Sequence, residues 1–143
     1  MKTIMPKQCS DTDRKWYVID ADGLTLGRLS TKIAVILRWK NKLDFAGHVD
    51  NWDNVIVLNA WKIRVTWKKL SDKIYYKHSG YMWGLKEITL QDLLKKRPLD
   101  VLKFSVRWML PKNKLKKNMI LRLKLYEGAE HEHSAQKPIE ISI

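Results

Sequence analysis

A chain of 143 residues is the size of one domain, and a hydrophobic content of 45% supplies a core and excludes wholesale disorder. A formal net charge of +13 points to a polyanionic partner. No apolar run approaches the roughly 20 residues of a bilayer span, the start Met1-Lys2-Thr3-Ile4 lacks the apolar stretch of a signal peptide, and the lone Cys9 can close no internal disulfide, which fits a reducing compartment.

Residues 1–14 read as a loose N-terminal arm. Trp16–Asp20 reads as a first strand, ended by Asp20-Ala21-Asp22-Gly23, where Asp and Gly tolerate the backbone of a tight turn. Leu26, Leu29, Ile33, Ile36 and Leu37 then recur at helical spacing, with Arg28, Thr31, Lys32 and Arg38 off the stripe, so a helix packs on the sheet. Residues 54–59 form a nearly continuous apolar run, as expected of a central strand covered on both faces. Lys62-Ile63-Arg64-Val65-Thr66 alternates basic and apolar side chains and predicts a strand with one buried face and one cationic face. Lys73-Ile74-Tyr75-Tyr76-Lys77 extends it or forms a surface ribbon.

Thr89 stands as an N-cap, with Asp92 three residues on, before the apolar Leu90, Leu93 and Leu94. Pro98 ends that helix or starts the next, which runs from about Leu99 to Met109. A last short strand covers residues 122–126. The tail, 127–143, reads as mostly irregular, with 138–143 alternating well enough to dock as a short edge segment. No repeat or linker divides the chain, so residues 1–143 form a single domain. The element order predicts an α/β layered domain, a small and mostly parallel four-stranded sheet flanked by helices, with basic extensions.

From Lys103 to Leu125 the chain carries Lys103, Arg107, Lys112, Lys114, Lys116, Lys117, Arg122 and Lys124 without one acidic residue, interleaved with Phe104, Trp108, Met109, Leu110 and Met119. Charge that a polyphosphate neutralises, on apolar anchors, reads as a nucleic-acid-binding surface; a solvated basic helix is the alternative.

Several blocks, in order, resemble bacterial-type large-subunit ribosomal protein L13: Trp16-Tyr17-Val18-Ile19-Asp20-Ala21, Thr25-Leu26-Gly27-Arg28-Leu29-Ser30, His48-Val49-Asp50 and Val57-Leu58-Asn59-Ala60. The resemblance continues through residues 72–80, Met109-Leu110-Pro111-Lys112, residues 123–126 and residues 130–138, and so covers nearly the whole chain. It implies a non-catalytic protein that binds 23S-type ribosomal RNA in the large subunit and assists its assembly. Neighbouring large-subunit proteins are further partners, and no cofactor, membrane or homo-oligomer is implied. The expected location is the ribosome of the cytoplasm or of an organelle. A free RNA-binding regulator acting on messenger RNA is the second reading, since it needs the same basic surface.

Folded RNA hides its bases in a deep major groove, so cations for phosphates are the main requirement. Arg28, Lys40, Lys42, Lys68, Lys69, Lys73, Lys77, Arg107, Lys112, Lys114, Lys116, Lys117, Arg122 and Lys124 are the expected contacts, with His48 and His78 as secondary ones. Pro111 breaks a helix held by Met109 and Leu110, leaving the lysines beyond it to run along RNA. Arg107, on the helix, suits a fixed phosphate fork. Tyr75 and Tyr76 either stack on bases or simply pack.

The chain departs from the family pattern at Trp39, Trp52, Trp67, Trp83 and Trp108, where L13 proteins typically have glycine; Trp16 matches the family and Trp61 stands at a more variable position. One reading is a lineage in which a stop codon is reassigned to glycine, tryptophan having been assigned to those codons. The other is genuine indoles that stack on RNA or fill gaps against a protein.

Enzymatic readings find little support. His131-Glu132-His133 places both histidines together only on a strand and lacks a third nearby ligand. Asp20, Asp50 and Asp53 could form an acidic site, but strand-end aspartates more often cap turns. No phosphate-binding loop, nucleophile elbow or zinc-protease helix is present.

Overall fold

The computed structural model describes residues 14–43 and 45–142; the expected arm before Arg14, with Cys9, lies outside them. Four parallel strands, β1 (Trp16–Asp20), β2 (Asn54–Leu58), β5 (Leu123–Leu125) and β6 (Ile139–Glu140), form one sheet in the order β5-β2-β1-β6. Val55, Ile56 and Val57 of β2 are fully buried, as a strand covered on both faces requires. The tail does dock at the edge: β6 pairs with β1 through Tyr17 opposite Ile139.

Helix α1 (Leu26–Leu37) buries Leu26, Leu29, Ile33, Ile36 and Leu37 along its expected stripe and packs against α4 (Pro98–Met109) and β2. Leu29, Ile33 and Leu37 are fully withdrawn from water, each contributing about 1.5–3 kcal/mol. Pro98 begins α4, where a missing N–H is harmless. Before it, α3 (Leu90–Lys96) is capped by Thr89, whose Oγ1 accepts from the backbone N–H of Asp92 at 3.2 Å.

The strand expected over 62–66 does not form. Only Arg64 bridges, to Thr25, because the chain between the Asp20–Gly23 turn and α1 is extended for just a few residues and offers no longer edge. Burial still alternates there, with Ile63 buried and Arg64 exposed. The surface-ribbon reading of residues 73–77 holds: β3 (Ile74–His78) pairs antiparallel with β4 (Leu85–Thr89), a strand not anticipated, in a separate two-stranded sheet. Tyr75 and Ile88 on its inner face pack against the core, with the Tyr75 and Phe104 rings 6.0 Å apart. Two short helices complete the chain, α2 (Lys69–Asp72) and α5 (Lys116–Leu121).

Candidate nucleic-acid interface

A groove of about 920 Å³ opens between the entry to α1, residues 64–69 and the C-terminal end of α4. The Arg64 N–H donates to the Leu24 carbonyl at 2.9 Å, and the Arg64 carbonyl accepts from the Leu26 N–H at 3.0 Å, which pins the 64–69 segment beside α1. Arg64, Lys68, Lys69 and Lys73 line the groove together with Leu26, Val65, Leu90 and Met109; Asp72 is the single acid in the lining. Arg64, Lys68 and Lys69 make no ion pair among the described residues. Lys73 Nζ stands 5.1 Å from the Tyr75 ring centroid. The first turn of α1 adjoins the groove without an acidic residue or a side-chain cap. The whole concavity is therefore electropositive over an apolar floor, suited to a phosphate backbone.

Met109 links this groove to the basic segment. Its sulfur lies 3.7 Å from the Thr31 hydroxyl oxygen, whose proton goes to the Gly27 carbonyl at 2.9 Å, so the end of α4 rests against α1, and Pro111 follows two residues on. Leu110 is buried as the anchor, while Lys112, Lys114 and Lys117 are exposed and Lys116, half-buried, begins α5. Arg28 on α1 and Arg107 on α4 are exposed. Lys124 is half-buried on β5. Lys40 and His48 are exposed in the connection between α1 and β2, outside the groove lining. Lys77 and His78 are exposed on the ribbon; His78 Nδ1 accepts from the Gly80 N–H at 3.0 Å, so a neutral ring carries its proton on Nε2.

Two expected contacts are engaged internally. Lys42 Nζ lies 2.7 Å from Asp53. Arg122 pairs with Asp50, donates from Nη1 to the Trp52 carbonyl at 3.0 Å and covers the Trp52 ring. These pairs also dissolve the notional acidic site: Asp50 meets Arg14 and Arg122, Asp53 meets Lys42, and Asp20 accepts from Asn59 Nδ2 at 2.9 Å. That bond, then the backbone N–H of Asp22, holds the Asp20 carboxyl below its ordinary range. His133 stacks near Trp16 at 4.8 Å, and no group of three or more potential metal ligands occurs among the described residues.

Arg64 and Lys86 are surface cations that the list of expected contacts omits. The alternation around Arg64 carried a signal, in its cationic face. Lys86 carried none, because the pairing that sets it opposite Lys77 depends on the turn between β3 and β4.

A family model described as ribosomal protein L13 matches residues 14–132. Among curated relatives, the chain is 53% identical over 138 residues to large ribosomal subunit protein uL13 of Maridesulfovibrio salexigens, covering 96% of each. It is 51% identical over 138 residues to that of Agathobacter rectalis, again 96% of each. To that of Lactobacillus delbrueckii subsp. bulgaricus it is 49% identical over 143 residues, 100% of this chain and 97% of the relative. These matches span nearly the whole chain, and the chain belongs to the ribosomal protein L13 family.

Proposed function

We propose that this chain is a structural, non-catalytic constituent of the large ribosomal subunit that binds 23S-type ribosomal RNA and assists subunit assembly, in the cytoplasm and beside other large-subunit proteins. The family supports the ribosomal place. The observation that carries RNA binding is the groove, where Arg64, Lys68 and Lys69 stand without acidic partners among the described residues, over apolar side chains that include Met109. Such cations are held near one another against their mutual repulsion and gain most from a polyanion that releases its counterions on binding.

The test is the salt dependence of binding to large-subunit RNA. Changing Arg64, Lys68 and Lys69 together to alanine should weaken binding and flatten the slope of log affinity against log salt by about two to three, at about 0.7–0.9 for each phosphate contact. An unchanged slope would remove the groove from the interface. Tighter binding to the chain's own messenger RNA than to ribosomal RNA would favour the regulatory reading.

A further inference from the structure

We infer that residues 39, 67 and 83 are glycine in the protein that the source organism makes, the codons at these positions being read as glycine rather than tryptophan. The backbone carries the inference, independently of what the surface binds. Trp39, Trp67 and Trp83 have φ of 63°, 64° and 59°. In that region a Cβ crowds the following carbonyl oxygen; glycine enters freely, asparagine and aspartate follow, and a bulky side chain is an outlier. Among the described residues five non-glycines have positive φ, and three of these are tryptophan.

Two of the positions are ones that glycine ordinarily fills, and the third shares their backbone. Trp39 follows the α1 C-cap, Arg38; its N–H donates to the Ile36 carbonyl at 2.9 Å and the Lys40 N–H donates to the Val35 carbonyl at 3.1 Å. That pair of bonds is the Schellman motif, with residue 39 at the left-handed position where glycine predominates. Trp83 is the third residue of the turn closed by the Gly84 N–H on the Tyr81 carbonyl at 2.9 Å, and positive φ at that place calls for glycine or asparagine. Trp67 leads into the short helix α2 at the rim of the groove.

The two exposed indoles do not offset the strain, and the buried one does so incompletely. Asn59, also left-handed, is fastened by its side chain to Asp20. By contrast, Trp67 and Trp83 are 91% and 95% exposed. Trp39 packs in the core with Lys42 Nζ 4.9 Å from its ring centroid, yet its buried indole N–H has no acceptor among the described residues, an arrangement that native interiors avoid. Trp16, Trp52, Trp61 and Trp108 lie outside the left-handed region, and their backbone asks for nothing but an ordinary residue. Glycine at 67 would also clear an indole from the groove rim and let the turn's backbone approach a phosphate, a consequence that rests on the RNA reading where the residue's identity does not.

The deciding experiment is mass spectrometry of the protein purified from large subunits of the source organism, cut into peptides that span all three positions. Glycine at residues 39, 67 and 83 is expected; tryptophan at any of them overturns the inference. A second measurement is made on recombinant protein, at the two exposed sites, where no cavity follows from losing the ring. The double variant Trp67→Gly, Trp83→Gly should unfold at a higher temperature than the tryptophan form, whereas Trp67→Ala, Trp83→Ala should show no such gain, because alanine keeps the Cβ. Equal midpoints for the glycine and alanine variants would refute the strain that the inference requires.

Discussion

Lys42 Nζ lies 2.7 Å from a carboxylate oxygen of Asp53, whose side chain is 1% exposed. The other Asp53 oxygen accepts the Lys15 N–H at 3.1 Å, so the pair fastens the loop after α1 to the start of β1. Removing the cation would leave a buried carboxylate with one fewer partner, while Lys42 itself keeps some access to water. Lys42→Ala should therefore cost about 1–3 kcal/mol in denaturant unfolding and leave the salt slope of RNA binding unchanged. A flattened slope with unchanged stability would return Lys42 to the RNA surface.

The contrast between Lys42 and Lys68 explains what the sequence could disclose. Both are lysines in basic neighbourhoods, but Asp53, which meets Lys42, stands eleven positions further along the chain, and nothing in the local pattern records that approach. Arg122 is further removed, since its partners Asp50 and Trp52 belong to the chain before β2. Periodicity served where an element has a dry face: β1, α1, β2 and α4 all emerge near their expected places. It failed for β4, whose inner face carries the exposed Lys86 beside the half-buried Ile88 while the outer face carries Leu85, so no alternation of apolar and polar side chains marks the strand. It misled over 62–66, where the alternation is real but the edge that would pair with it is missing. The groove was legible as charge at Lys68, Lys69 and Lys73, though not as a concavity.

Thr89 offers a test of local encoding. Its hydroxyl oxygen accepts from the Asp92 N–H, and Asp92 in the first turn favours the positive end of α3. Thr89→Ala should lower stability by about 1 kcal/mol, and Thr89→Ser should restore most of it. Chemical denaturation distinguishes the two; equal losses would assign the effect to the packing of the threonine methyl.

Acid should act through Asp20. Its carboxyl is held below the ordinary range, first by the Asn59 amide and then by the Asp22 N–H. A depressed carboxylate stabilises the fold above its unfolded-state pKa, and the contribution disappears as pH falls through the lower folded-state value. Asn59→Gly removes the amide while keeping a residue suited to the left-handed backbone at φ 51°. That variant should lose stability at neutral pH and converge with the parent below the ordinary carboxylate range. Parallel stability curves down to low pH would show that the Asn59 bond does not set the Asp20 titration.

Lys77 and Lys86 face each other across the ribbon, with Tyr75 and Ile88 on the same face nearer the core. Like charges directly opposite on neighbouring strands repel, by a few tenths to about 1 kcal/mol. Neither lysine has an acidic partner among the described residues, so the free protein bears this repulsion, which a phosphate set between the two ammonium groups would convert to attraction. Lys86→Gln should then make the free protein slightly more stable yet bind ribosomal RNA more weakly, with a salt slope shallower by about 0.7–0.9. Opposite signs for stability and affinity are the diagnostic result, because a merely structural lysine would lower both. A gain in stability with unchanged RNA binding would show that the ribbon carries its repulsion without a phosphate to relieve it.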